Sequence, residues 1–147
     1  MELHVHSGPL PPEARLLLVD SGLPVADLAQ APIEFLLARE AGQVIGVVGL
    51  EAYGEGALLR SMAVTPSRRS AGIGERLLWA LEGRARERGI HQLVLLTETA
   101  ERFFLRHGYR PSEREAVPAA LRDSAEFRAL CPASARCMVK TLNALPA

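Results

Sequence analysis

The chain has 147 residues, 48% of them apolar, with 17 basic side chains against 17 acidic ones: one domain's worth of sequence, enough apolar mass for a full core, and no net charge. That balance argues against a nucleic-acid-binding surface, which would carry a basic excess, and the predominance of Arg (Lys140 is the one Lys) reads as a compositional bias of the coding genome. No apolar run reaches the roughly 18 residues of a membrane span, Met1-Glu2-Leu3-His4-Val5-His6 lacks the basic start and apolar stretch of a signal peptide, and two cysteines are too few for a disulfide scaffold, so a soluble, cytoplasmic protein is expected.

Leu3-His4-Val5-His6 alternates and predicts a short first strand. Pro11-Pro12-Glu13 starts a helix with Pro in the tolerated first turn, with Leu16, Leu17, Leu18 and Val19 as its buried side and Ser21-Gly22 as its end. Residues 23–31 are mixed, with a short second helix as one reading. Strands follow over 33–39 and 44–53, the latter rich in β-branched residues, then a tight hairpin at Gly54-Glu55-Gly56 and a return strand over 57–64. A helix opens at Gly72 and runs to Arg88; Ile73, Leu77, Leu78, Leu81 and Ala85 form its apolar stripe, and Glu82, Arg84, Glu87 and Arg88 its wet face. Gly89 stops it. Leu93 to Leu96 reads as a strand buried on both faces. Thr99 is placed to cap a helix over 100–106; Gly108 ends that helix and Tyr109 begins another strand. A late helix over 118–128 and a last strand over 135–142 complete one mixed α/β (α+β) domain around a central sheet.

The chemistry is most legible at Arg69-Ser70-Ala71-Gly72-Ile73-Gly74. A pyrophosphate needs several converging donors, and a helix start supplies them, because its first amides lack intrahelical partners and its dipole is positive there. Glycine lets the backbone come close, and Gly72 and Gly74 stand where this matters. Arg68 and Arg69 add positive charge beside it. A Walker loop would end Gly-Lys-Ser/Thr, but this one continues Gly74-Glu75-Arg76; a dinucleotide fingerprint would need a third Gly where Leu77 stands.

Leu58-Leu59-Arg60-Ser61-Met62-Ala63-Val64-Thr65-Pro66, then Arg69-x-x-Gly72-x-Gly74 and Leu77-Leu78, resembles the central motif of the GNAT superfamily of N-acetyltransferases. Ala100-x-x-Phe103-Phe104-Leu105-Arg106-His107-Gly108-Tyr109 is similar to the family's second motif, and the two together cover most of residues 30–115. The resemblance implies the GNAT fold: a central, mostly antiparallel sheet with a splayed strand pair and helices on both faces. It implies acetyl-coenzyme A as cosubstrate, no metal, and direct acetyl transfer to the amine of a small molecule. Met62, Ala63 and Val64 would offer backbone groups to the pantetheine arm. Arg68 and Arg69 with the amides of Ser70, Ala71, Gly72, Ile73 and Gly74 would bind the pyrophosphate, and Phe103 and Phe104 would pack beside the coenzyme. Gly46-Val47-Val48-Gly49-Leu50-Glu51 and the tail from Val117 through Cys131 to Met138 also resemble the small GNAT proteins of bacterial arsenic-resistance operons. Some of those are thought to acetylate amino-acid-like antimetabolites bearing an arsenic or phosphorus acid group.

Acetyl transfer to an amine needs a base for the amine, stabilisation of the thioester oxygen, and in some cases a proton for the leaving sulfur. Many GNAT enzymes place a proton-donating Tyr where Phe104 stands, and Glu or His where Leu58 and Arg60 stand. A thiolate leaves tolerably well unaided. Arg60, a lone charge in an apolar strand, is read as an anion reader for an acidic acceptor. Glu51 is the favoured base, with Tyr53 and Glu98 as weaker candidates, and the hairpin register decides which of them share a face. An amide near Val64 is the expected oxyanion donor.

His4 and His6 share a strand face without a third metal ligand; His91 and His107 lie at element ends. Cys131 and Cys137 flank a Pro132 turn and are either a soft pair for a thiophilic ion such as trivalent arsenic or two semi-buried small residues. Two main functional readings stay open: a working N-acetyltransferase for a small, anionic, amino-acid-like acceptor, and a catalytically degenerate acyl-coenzyme A-binding or thiol-sensing regulatory module. The acceptor pocket would be built from residues 20–40 and the C-terminal part, where Glu34, Phe35, Arg39 and Phe127 are not diagnostic. The last strand, with Met138 and Val139, has the pattern to pair within the chain or across a homodimer.

Overall fold

Seven runs of extended, apolar-rich chain condense into one sheet in the computed structural model, which describes residues 1–6, 8–130 and 133–143, the side chains of residues 129 and 130 excepted. In chain order the elements are β1 (Glu2–His6), α1 (Pro12–Asp20), β2 (Ile33–Glu40), β3 (Gln43–Tyr53), β4 (Gly56–Val64), α2 (Ile73–Glu87), β5 (Gln92–Thr97), α3 (Glu101–Arg106), β6 (Arg110–Pro111), α4 (Ala119–Arg122) and β7 (Arg136–Thr141). The strands lie in the order β1-β2-β3-β4-β5-β7-β6. Every pairing is antiparallel except β4 with β5, which is parallel and spans only Gly56–Leu58 against Gln92–Val94. Beyond that contact the two strands part and open a cleft in the sheet.

Helices cover both faces. On one, Ile73, Leu77, Leu78, Leu81 and Ala85 of α2 and Phe104 of α3 pack on Leu36, Ile45, Leu50, Leu59 and Leu95. On the other, Ala14, Leu17 and Leu18 of α1 cover Phe35, Leu37, Val47 and Ala63, while Val117, Leu121 and Phe127 cover Leu58, Val94 and Val139. Burying a Leu or Ile side chain contributes about 1.5–3 kcal/mol as an upper bound, so these clusters are what hold the helices to the sheet.

Several expectations are corrected. Leu16 and Val19 are 59% and 50% exposed; α1 buries 14, 17 and 18, the single stripe that a 3.6-residue period allows. Residues 23–31 form turns, not a helix. Thr99 caps nothing: the Thr97 hydroxyl accepts the Ala100 N–H at 3.0 Å instead. The late helix is broken into α4 and a π turn at Glu126–Leu130, and of the strand expected from Tyr109 only two residues pair. Glu82 is buried at 4% exposure, its carboxylate taking the Tyr109 hydroxyl at 2.8 Å and Lys140 Nζ at 3.0 and 3.1 Å. Burial and then Glu82 push the Tyr109 hydroxyl far above its ordinary pKa, so it stays a donor. Lys140 also donates to the His107 carbonyl at 2.8 Å, tying the end of α3 to α2 and β7.

Candidate active site

The cleft between the parted strands encloses about 740 Å³, bounded by Leu59–Val64 on β4, by the end of β5 and the residues after it from Leu95 to Ala100, and by α3. A β-bulge shapes its β4 wall: Gly49 pairs with Arg60 and Val47 with Ala63, so Ser61 and Met62 together face one residue of β3. Ser61 takes φ of +57°, a left-handed conformation that a non-glycine residue adopts only at a local cost. Past the bulge, Thr65 N–H donates to the Ile45 carbonyl on β3 at 2.9 Å. Peptide groups alternate along a strand, so the Val64 N–H and C=O face away from β3 into the cleft. The Val64 carbonyl accepts Arg69 Nε at 3.2 Å; its N–H is placed as the expected oxyanion donor.

The donor end is built from backbone. Gly72, with φ of +78°, is the N-cap of α2, and the first bond of the helix runs from Arg76 N–H to the Gly72 carbonyl at 3.1 Å. The amides of Ile73, Gly74 and Glu75 therefore have no intrahelical partner, and no side chain caps them. Gly72 is required by its positive φ; Gly74 is not required by any internal contact. A Cβ at Gly74 would meet only Phe103 and Val64, at 3.8 Å or more, which is ordinary packing. A glycine in a helix interior costs roughly 0.5–1 kcal/mol against Ala. A position that carries this cost with no packing reason, at an uncapped helix start facing a cleft, fits the close approach of phosphate oxygens. The residues present thus fit coenzyme A.

Of the residues the sequence assigns to coenzyme A, Met62, Ala63, Val64, Arg69, Gly74, Phe103 and Phe104 line the cleft. Ser70, with φ of +72°, and Ala71 shape the turn that leads to Gly72. Ile73 sends its side chain into the core, leaving its amide at the helix start. Arg68 points elsewhere, into an ion pair with Glu40.

The acceptor end is built from side chains. Arg60, fully buried, sits among three carboxylates from three segments. Its Nη1 and Nη2 donate to the two oxygens of Asp27 at 2.7 and 2.8 Å, and Nη1 also donates to Glu51 Oε1 at 2.9 Å. Its Nε donates to the Ser61 hydroxyl at 3.3 Å and lies 3.7 Å from Glu126 Oε1. Burial works against the guanidinium charge, but Asp27, Glu126 and Glu51 outweigh it, and the Arg60 pKa is raised. Three carboxylates thus converge on one guanidinium.

The register puts Glu51, Leu58 and Arg60 on one face, as the sequence required for Glu51 and Arg60 to meet. Glu51, however, is 0% exposed and does not reach the cleft: Arg60 holds one oxygen and the Tyr53 hydroxyl donates to the other. Burial, then the bond to Glu51, raise the Tyr53 pKa well above its ordinary value. Glu98 does line the cleft, on the floor after β5. The carboxylate that lines the cleft beside Arg60 and Ser61 is Glu126, from the π turn. Glu126 and Asp27 are the two site residues the sequence reading lacks. A lone Arg in an apolar strand announces that carboxylates must surround it, yet nothing local says which ones.

Cys137 is buried, and burial raises its thiol pKa, which works against the thiolate that a thiophilic ion needs. Cys131 lies outside the described residues. No group of three or more His, Cys, Asp or Glu is placed to hold a metal among the described residues, and none of the described helices is long and apolar enough to cross a membrane.

Comparison with known proteins agrees with this geometry. The family model described as acetyltransferase (GNAT) domain matches residues 31–111, more than half of the chain, and the chain belongs to that family of acetyl-coenzyme A-dependent acetyltransferases. It is similar to an amino-acid acetyltransferase of Pseudomonas putida, 35% identical over 89 residues, or 59% of this chain; the chain spans only 21% of that relative's length. Among solved structures it resembles N-acetylglutamate synthase from Neisseria gonorrhoeae complexed with coenzyme A and N-acetyl-glutamate, at a TM-score of 0.77 and 22% identity over 97% of this chain and 35% of that one. A GNAT-family acetyltransferase from Staphylococcus aureus superposes over its whole length and 97% of this chain, with a TM-score of 0.76 and 17% identity. At such identities the structural likeness speaks for the fold.

Proposed function

We propose that this chain acetylates the amine of a small, zwitterionic, amino-acid-like acceptor. The observation that carries the reading is the pairing of opposite charges at the acceptor end: Glu126, Arg60 and Ser61 line one stretch of the cleft, with Arg60 Nε bonded to the Ser61 hydroxyl and 3.7 Å from Glu126 Oε1. A site built mostly of carboxylates favours an ammonium group. A bare anion would meet those carboxylates unaided, whereas a zwitterion brings an ammonium for them. Its ammonium would be held by Glu126 and its carboxylate by the looser Nε edge of Arg60 and the Ser61 hydroxyl.

Bound acetyl-coenzyme A supplies an acetyl group activated as a thioester. Glu126 takes the proton that the acceptor nitrogen must lose. Val64 N–H donates to the acetyl oxygen as it gains charge. Asp27 and Glu51 hold Arg60 from the far side and so position the groups that touch the acceptor. Phe104 has no proton to give and the cleft lining contains no Tyr, so the sulfur takes its proton from solvent. The Pseudomonas relative's name supports an amino acid as acceptor. Amino acids bearing a phosphorus or arsenic acid, suggested by the arsenic-operon resemblance, belong to the same zwitterionic class.

The test is thiol release from acetyl-coenzyme A with a panel of acceptors: amino acids, their decarboxylated amines, and amino acids carrying a phosphonic or arsonic acid. Turnover with amino acids that falls at least tenfold for the matching amines is expected. Glu126→Gln should lower kcat on the order of 10²-fold, with coenzyme A binding unchanged. Equal use of amines would sink the zwitterion reading. Binding of acetyl-coenzyme A without thiol release for any acceptor would leave a regulatory binding module instead.

A further inference from the structure

At the acceptor end of the cleft the guanidinium is matched by carboxylates; at the donor end several are not. Arg69, Arg102 and Arg106 all line the cleft. Arg69 spends its Nε on the Val64 carbonyl, while Arg102 and Arg106 have no hydrogen-bond or ion-pair partner among the described residues. Some arginines elsewhere do find carboxylates: Arg39 with Glu13, Arg68 with Glu40, Arg84 with Glu34, and Arg136 with Glu101 of α3 itself. Other unpartnered ones, Arg76 and Arg110 among them, lie off the cleft.

Arg102 and Arg106 are four residues apart in α3, so they share a helix face, where like charges repel unless an anion lies between them. Phe103, between them in sequence, reaches the position a Cβ at Gly74 would contact and packs against Phe104 and His107, with ring centroids 5.1 and 4.8 Å apart. The packing fixes α3, and with it both guanidinium groups, beside the pyrophosphate turn.

We infer that Arg102 and Arg106 form a second anion subsite, separate from the turn at 69–74, that takes the 3′-phosphate of coenzyme A. A phosphomonoester carries nearly two negative charges at neutral pH and suits guanidinium forks. The turn supplies amides for the pyrophosphate, whose charge is spread along the chain; the terminal phosphate, one ribose away, needs donors on a neighbouring wall, and α3 is that wall. The inference rests on the acetyl-coenzyme A reading.

Calorimetric titration with coenzyme A and with 3′-dephospho-coenzyme A, at fixed ionic strength, tests it. The unmodified protein should bind coenzyme A at least about tenfold more tightly than the dephospho form. Arg102→Gln/Arg106→Gln should bring the two affinities within about twofold of each other, mainly by weakening coenzyme A, and a double Lys variant should restore part of the ratio. Both residues are exposed, so an unchanged thermal melt is expected. A ratio that survives the double substitution overturns the subsite. Equal loss for both ligands also overturns it, by moving the guanidinium groups onto the pyrophosphate. Failure of the unmodified protein to bind coenzyme A would overturn the donor reading itself.

Discussion

The two ends of the cleft are made of different material. The pyrophosphate turn of the donor end is a contiguous run, Val64 to Gly74, whose working groups are backbone amides left open at a helix start. The acceptor end joins residues 27, 51, 60 and 126, and its working groups are side chains already locked to one another. The first leaves amides open to a ligand; in the second the guanidinium is already held by carboxylates. A ligand therefore supplies the donor end with missing hydrogen bonds, whereas at the acceptor end it must fit a charge pattern that the fold has set.

The largest test of this contrast is Arg60→Met. Removing the guanidinium takes from Asp27 and Glu51 the charge they are bonded to, and breaking a buried pair from one side costs about 3–5 kcal/mol. Urea denaturation should show the loss as a lower midpoint, and Arg60→Lys, which keeps the charge but not the fork, should lose less. A variant within 1 kcal/mol of the parent would mean the cage does not hold the acceptor end together, and the contrast would fail.

Gly74→Ala tests the opposite end and should give the opposite pattern. The added methyl meets nothing closer than 3.8 Å, and Ala is the better helix former, so stability should hold or rise by roughly 0.5–1 kcal/mol. Affinity for coenzyme A should fall about tenfold, because the methyl stands where phosphate oxygens approach. A thermal melt and a calorimetric titration on the same sample separate the two effects. Loss of stability with affinity intact would make Gly74 a packing residue.

The same contrast explains what was legible in the sequence. The donor turn, the strand before it and the Gly108-Tyr109 motif are contiguous patterns, and each lies where the sequence put it. So does the apolar stripe of α2. The acceptor end was half legible: Arg60 and Glu51 were singled out, but Arg60 as a free anion reader and Glu51 as a base open to the cleft. Their partners Asp27 and Glu126 come from an irregular turn and from a helix that breaks, segments whose positions depend on tertiary packing and not on periodicity. Glu82 fails for the same reason. On a helical wheel it belongs to the wet face, yet Lys140, 58 residues away, and Tyr109 bury it. A charge's surroundings are a long-range property, and one helix's sequence does not contain them.

Thr65 offers the smallest and most discriminating test, because it sits where the donor wall begins. Its hydroxyl is buried and has no hydrogen-bond partner among the described residues, while its backbone N–H bonds Ile45 on β3. If the pyrophosphate turn works through backbone alone, that hydroxyl is a desolvated group with nothing gained. Thr65→Val keeps the shape and removes it, so stability should rise by up to about 1 kcal/mol. For a domain of this size that is about 2–4 °C in Tm. Coenzyme A affinity should stay unchanged, since the Thr65 backbone keeps its place. A fall in affinity would assign the hydroxyl to the bound coenzyme, and the pyrophosphate turn would then depend on a side chain as the acceptor end does.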